Sequence, residues 1–173
     1  NNNDFVSGVY LFNLPLEEWL FFVIIPFCCV FIYESTNYFF KPQIASQKNL
    51  KTSLLIGVIL IVLALVFFEK TYTTTYFSFS GIILILIFLC KPKWWKKFQI
   101  MFVFSLIPFL IVNGFLTGSF TDQPVVSYND EQNLGIRLLN IPFEDIFYCF
   151  NILVLVVAVY EYQLSKMFSI KNN

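Results

Sequence analysis

The sequence predicts an all-α integral membrane protein, a polytopic helical bundle with an internal parallel repeat and five transmembrane helices. Three observations carry that expectation. The chain is 58% hydrophobic with a mean hydropathy of +0.72 and only 13% charged residues, too apolar for a soluble domain of 173 residues to hide. Five apolar stretches each run roughly 17–20 residues, the length that crosses a hydrocarbon layer of about 30 Å. One segment near the start returns near the end at a constant offset.

The spans run about Pro15–Tyr33, Thr52–Phe68, Tyr72–Cys90, Phe98–Thr117 and Pro142–Tyr160. Lipid offers backbone groups no partner, so each span is expected to be helical. The first opens on LPLEEWLFF. Pro15 is expected in its first helical turn, where a missing N–H costs little. Glu17 and Glu18 follow near the positive end of the helix dipole. The second span is almost wholly aliphatic, whereas the third starts on the polar TYTTTYFSFS. The fourth follows KPKWWKK, in which Trp94 and Trp95 read as interfacial anchors. The fifth opens on IPFEDIFYCF and sets Pro142, Glu144 and Asp145 in the same order as the first.

Charge adds direction and excludes chemistry. Net charge is zero, which leaves no nucleic-acid footprint. Nine lysines (Lys41, Lys48, Lys51, Lys91, Lys93, Lys96, Lys97, Lys166 and Lys171) fall on one side of the spans, and only Lys70 and Arg137 on the other. The lysine-rich side is therefore expected in the cytoplasm and the acidic pairs at the opposite face. There is no histidine, which removes Ser-His-Asp and Cys-His catalysis and imidazole-ligated metal or haem. Cys28, Cys29, Cys90 and Cys149 lie in or beside apolar runs without disulfide or zinc spacing, and read as small hydrophobes. The acids are left to carry any proton chemistry, with Tyr, Lys and water as lesser candidates.

The repeat is the most specific signal. SGVYLFNLPLEEWLFFVIIPFCCVFIYE aligns with LGIRLLNIPFEDIFYCFNILVLVVAVYE at a shift of 127 residues without a gap. Gly8 meets Gly135, Asn13 meets Asn140, Pro15 meets Pro142, Glu17-Glu18 meet Glu144-Asp145, and Tyr33-Glu34 meet Tyr160-Glu161. Residues 8–34 and 135–161 thus form two motif helices of one membrane domain spanning 1–173. Four crossings separate their starts, so both acidic pairs are expected at one face.

Adjacent acids point about 100° apart on a helix, so the two need not share a job. Two such helices side by side bring four carboxyls to one cavity, where one acid donates a proton and another carboxylate takes one back. A carbocation formed between those steps needs a dry, π-rich wall. Trp19, Phe22 and Tyr148 stand beside the acids as candidates, each otherwise an interfacial anchor or a packing residue. Arg137 is expected either to pair with Glu144 or Asp145 or to form a simple structural salt bridge. Tyr128, with Asn129 and Asn133, lines an entrance or makes ordinary turns. Asn113 and Asn151 serve a pocket or bond between helices. Glu34 and Glu161 are interfacial residues beside an anchoring tyrosine, or a transport relay or second reacting-end site at the cytoplasmic edge.

Taken together, PLEEWLFF…YE and PVVSYNDEQNLGIRLLNIPFEDIFYCF…YE resemble the bacterial heterodimer-type lycopene cyclase family, a membrane group distinct from the flavin-binding lycopene cyclases. The resemblance implies cyclisation of the ψ ends of a linear carotene to ionone rings, redox-neutral and without metal. It implies that Glu17, Glu18, Glu144 and Asp145 are the catalytic acids. It also implies one or two further spans before the first motif, from upstream residues or from a partner subunit. The expected partners are membrane lipid, the linear carotenoid and that subunit. The expected location is the bacterial cytoplasmic membrane, with the acidic pairs toward the periplasmic face. Two other classes stay open at this point: a small transporter or proton-coupled channel, and a non-catalytic subunit that completes a cyclase with another chain.

Overall fold

The computed structural model describes residues 8–12, 14–40, 47–121 and 123–171; the side chains of Glu17, Glu18, Phe21, Phe22, Gln47, Lys48, Phe168, Ile170 and Lys171 lie outside that description. Five helices follow in order: α1 (Leu16–Phe40), α2 (Gln47–Val66), α3 (Thr71–Cys90), α4 (Trp95–Leu116) and α5 (Glu144–Lys171). Each contains a stretch long and apolar enough to cross a membrane. Residues such as Phe27, Leu65, Val103 and Val159 are exposed on their outer faces, where lipid tails rather than water suit them. The protein is a multi-pass membrane protein. Helices α1 and α5 continue well past Glu34 and Glu161, because no helix breaker follows before Pro42 in one case or before the last residue in the other.

Two short hairpins accompany the all-α bundle. Before each motif helix stands a small antiparallel hairpin: β1 (Tyr10–Leu11) with β2 (Leu14–Pro15), and β3 (Arg137–Leu138) with β4 (Ile141–Pro142). Tyr10 pairs with Pro15 in the first, and Arg137 with Pro142 in the second, so the registers match at the same shift of 127. The closing contacts match as well: Leu16 N–H donates to Val9 O, and Phe143 N–H to Ile136 O, each at 2.9 Å. Gly8 and Gly135 have φ of +81° and +72°, which explains the repeated glycine. Pro15 and Pro142 therefore end strands rather than lie inside the first helical turn. A residue without an N–H suits the margin of a two-residue ladder.

Helices α1 and α5 lie side by side. Cys29 Sγ approaches Leu153 O at 3.9 Å, and the Tyr33 hydroxyl donates to Glu161. These contacts advance together along both helices, so the helices run in the same direction. The Tyr33 and Tyr160 rings meet edge to face at 6.1 Å, so the Tyr-Glu ends of the two motifs fasten the helices to each other. Glu161 is thus spent on a helix contact, while Glu34 is exposed.

Helix α2 packs chiefly on α3 through a close crossing of small residues. A Cβ on Gly81 would lie 2.9 Å from Gly57 O and 2.8 Å from the Ile61 side chain. Helix α3 packs on α5, and α4 covers α1 and α5 from the other side. Trp95 corrects another expectation. It is 2% exposed, stacks on Phe98 at 5.4 Å and donates from Nε1 to Ser53 Oγ at 3.1 Å. It is a core residue: a buried indole N–H needs an acceptor, and α2 supplies one.

Candidate active site

The hairpin β3–β4 delivers the chain into α5 with Glu144 and Asp145 in the first turn, and both side chains are fully buried at 0% exposure. Buried carboxyls need partners, and these two draw on different elements. Glu144 Oε1 accepts from the Thr73 hydroxyl of α3 at 2.5 Å and from the Leu134 N–H at 2.8 Å. Its Oε2 is buried with no hydrogen-bond partner among the described residues. Asp145 is occupied at both oxygens. Oδ1 accepts from the Tyr72 hydroxyl at 2.6 Å, and Oδ2 from the Tyr128 hydroxyl at 2.7 Å and the Asn113 amide at 3.2 Å.

Aromatic rings gather around Asp145. Tyr72 lies edge-on to Tyr76 at 4.6 Å and to Tyr128 at 5.7 Å, and Tyr76 lies edge-on to Tyr148 at 5.5 Å. Below them an apolar cavity of about 360 Å³ opens between α1, α4 and α5. Its lining includes Cys28 and Ile32, Pro108 and Asn113, and Tyr148 and Cys149. Asn113 links the two regions, since it lines the cavity and donates to Asp145. A second apolar groove of about 420 Å³ runs between α3 and α5 and shares Tyr148 and Ile152 with the first.

The loop between α4 and β3 holds the site from above. Its Gln132 carbonyl accepts from the N–H groups of Tyr72 and Thr73 at the start of α3, and its Asn133 carbonyl accepts from Lys70 Nζ at 2.5 Å. Asn133, 1% exposed, accepts from Gly135 N–H at 2.7 Å and shapes the turn that aims Leu134 N–H at Glu144. Asn140 donates to Thr117 O at 3.3 Å and ties the hairpin to the end of α4.

Several sequence expectations meet here and others do not. Asn113 and Tyr128 both reach Asp145, and Tyr148 lines the cavity. Asn151 lies in the α3/α5 groove, where its Oδ1 accepts from Ser80 at 2.8 Å and its amide donates to Tyr76 O at 3.4 Å. Trp19 donates to Leu11 O at 2.9 Å and packs on Phe12, so it fastens α1 to its own hairpin. Glu17, Glu18 and Phe22 have side chains outside the described residues.

Arg137 pairs with neither Glu144 nor Asp145. It forms an ion pair with Asp130 and donates to Asn140 O at 2.9 Å. The acids point inward and are fully buried, while the guanidinium stays partly hydrated on the outside of the hairpin, where its desolvation cost is small. The guanidinium in turn lowers the pKa of exposed Asp130. Tyr72, Thr73 and Ser80 are the residues the sequence reading missed. With Tyr76 they form a polar stripe at helical spacing on a membrane span, and such a stripe faces protein rather than lipid.

Among the described residues, no group of three or more cysteine, aspartate or glutamate side chains is placed to hold a metal ion. A family model described as Lycopene cyclase matches residues 1–36 and 69–163, most of the chain. The matched residues include both motif helices and every described partner of Glu144 and Asp145. They leave out α2, which makes none of those bonds. No curated protein and no solved structure matches the chain.

Proposed function

The chain belongs to the lycopene cyclase family, and from that premise we propose that it closes the ψ end of a linear carotene into an ionone ring by acid catalysis. The observation that carries the reading is the unequal bonding of two adjacent buried acids above an apolar cavity. Glu144 is the acid. Its Oε1 already accepts two bonds, so the proton it carries sits on Oε2, the oxygen left free. That proton adds at C2 of the ψ end, and positive charge appears at C1. The C5–C6 double bond attacks C1 and closes the ring. Asp145, held as an acceptor by three donors, takes the proton from C6 and leaves a β ring. No electrons are transferred and no proton is consumed overall.

Tyr148 lines the apolar cavity, with the rings of Tyr76 and Tyr72 packed in series behind it, so the cation would pass beside aromatic rather than aqueous surroundings. Glu17 and Glu18 belong to the proposal as a second acidic pair. The contacts between α1 and α5 bracket the offset of 127, which sets the starts of the two helices about level. The lysine distribution supports placing both pairs at the outer face of a bacterial cytoplasmic membrane.

The test is pigment analysis of lycopene-accumulating cells that express the full-length gene. Wild type should convert red lycopene to a ringed yellow or orange product. Glu144→Gln and Asp145→Asn, at equal protein level, should each lose product by about 10²–10⁴-fold, the usual weight of a positioned acid or base. Full product from both variants would remove this pair from the chemistry.

A further inference from the structure

The apolar cavity between α1, α4 and α5 does not touch the carboxyl of Asp145, which is 0% exposed and takes no part in its lining. What connects them is Asn113 of α4, half-buried on the cavity wall, whose amide donates to Asp145 Oδ2 at 3.2 Å. The other two donors hold the same carboxylate from outside the cavity. Tyr72 bonds Oδ1 at 2.6 Å and Tyr128 bonds Oδ2 at 2.7 Å, and neither lines the cavity. The amide bond is at the long end of its range while the two phenol bonds are short, so it is the weakest of the three and yields first. When it yields, the two phenols still fix the carboxylate. The lone pair uncovered on Oδ2 is the one that pointed at Asn113, and so at the cavity wall.

We infer that Asn113 selects which hydrogen Asp145 removes, and with it the type of ring that forms. The inference rests on the cyclisation reading and adds to it the residue that decides among its products. Once C6 has bonded to C1, the positive charge lies at C5. Loss of a proton from C6, from C4 or from the methyl group on C5 then neutralises it. In each case one C–H bond breaks, and the proton goes to Asp145 Oδ2. The electron pair of that bond completes a C5–C6, a C4–C5 or an exocyclic double bond, giving a β, ε or γ ring in turn. The three losses start from one cation and use one base, so the line along which the base meets the ring makes the choice. The ring displaces the Asn113 amide from Oδ2, and the rest of that side chain admits a hydrogen from one direction only. Asn113 acts through Asp145 and is a positioning residue.

The experiment expresses the full-length protein in lycopene-accumulating cells, separates the ringed products by chromatography and assigns β, ε and γ rings by NMR. Proportions are read within the product, so they do not depend on how much protein is folded. Wild type should make a single ring type. Asn113→Ala removes the amide and opens the wall, and the proportion of the other rings should rise by about tenfold or more, the usual weight of one lost contact in a pocket. Tyr128→Phe takes a donor from the same oxygen on the side away from the cavity, and should slow turnover with the proportions unchanged. Unchanged proportions in Asn113→Ala, or an equal change in Tyr128→Phe, would overturn the inference, as would a mixture of rings from wild type. Should Asn113→Ala make no product, Asn113→Ser must make rings in altered proportion. No ring from either variant at wild-type protein level also overturns the inference, because Asn113 would then be needed for closure itself. Absence of any ring from wild type would instead sink the cyclase reading.

Discussion

Replacing Thr73 by valine removes one hydroxyl from a buried site and changes little else. Thr73 and Glu144 are both 0% exposed, so no water can take the place of the lost donor at Glu144 Oε1, now 2.5 Å away. A hydrogen bond to a charged or ionisable group is worth roughly 1.5–3 kcal/mol, and each 1.4 kcal/mol is a factor of ten in rate. The Leu134 N–H still holds the same oxygen, so Glu144 is loosened rather than released. The expected result is ring formation slower by about 10–100-fold, less severe than in Glu144→Gln. The assay is ringed product per unit of membrane protein, separated by chromatography, with Thr73→Ser beside it. Serine keeps the hydroxyl and should stay within about threefold of wild type. Wild-type rates in Thr73→Val, alongside an inactive Glu144→Gln, would refute the idea that α3 sets the acid. Equal losses in the valine and serine variants would point to packing of the γ-methyl instead.

Other outcomes follow from the same geometry. Cys149→Phe fills the cavity between α1, α4 and α5, and should cut ring formation by tenfold or more at a stability cost of about 1–3 kcal/mol, read from thermal unfolding in detergent. Gly81→Leu drives a side chain into Gly57 O and Ile61, and should lower the unfolding temperature sharply; because it displaces α3, which carries Tyr72 and Thr73, product per folded molecule should fall as well. Arg137 lowers the pKa of Asp130, so the benefit of that ion pair is present above the ordinary aspartate value of about 3.9 and is lost as pH falls through the lower folded value. The effect of Arg137→Gln on ring formation should accordingly be small and flat between about pH 5 and 9. A steep dependence there would mean that Arg137 acts on the buried acids.

Hydropathy made the five spans legible, because membrane crossing imposes a length that a sequence must satisfy. The offset of 127 made the parallel course of α1 and α5 legible, since it fixed both their likeness and the number of crossings between them. The hairpins were not legible. Their turns run through Phe12 and Leu139 at φ of +50° and +56°, where a hairpin turn ordinarily has glycine, so the usual letters are missing. Trp95 was misread because tryptophan beside lysines is ordinary at an interface, and only the tertiary structure reveals Ser53 of α2 as its acceptor. The partners of Asp145 come from Tyr72, Asn113 and Tyr128, on three segments far apart in the chain. Asn113 and Tyr128 could be named as isolated polar residues, but their convergence belongs to tertiary structure. The role of TYTTTYFSFS was hidden by its polarity, which reads as a weak span until its stripe is set against α5.

Why the acids are adjacent follows from how their neighbours are arranged. The turn of about 100° between consecutive helical residues separates the surroundings of Glu144 and Asp145 although their backbones touch. Glu144 is served by Thr73 and by the Leu134 N–H, two fixed donors that crowd one oxygen and leave the other open. Asp145 is served by hydroxyls and an amide that together occupy both oxygens. Tyr72 and Thr73 are also adjacent, so two consecutive residues of α3 address two consecutive residues of α5, one to each acid. A single helix pairing thus sets both carboxyls at once, and a shift of α3 would disturb the two together. Acids placed on separate helices could drift independently, whereas the proposed cyclisation, in which one carboxyl gives a proton and the other takes one, needs the distance between them held constant. The hairpin and its loop supply the remaining constraint by binding the start of α3 through Gln132 and the acid through Leu134.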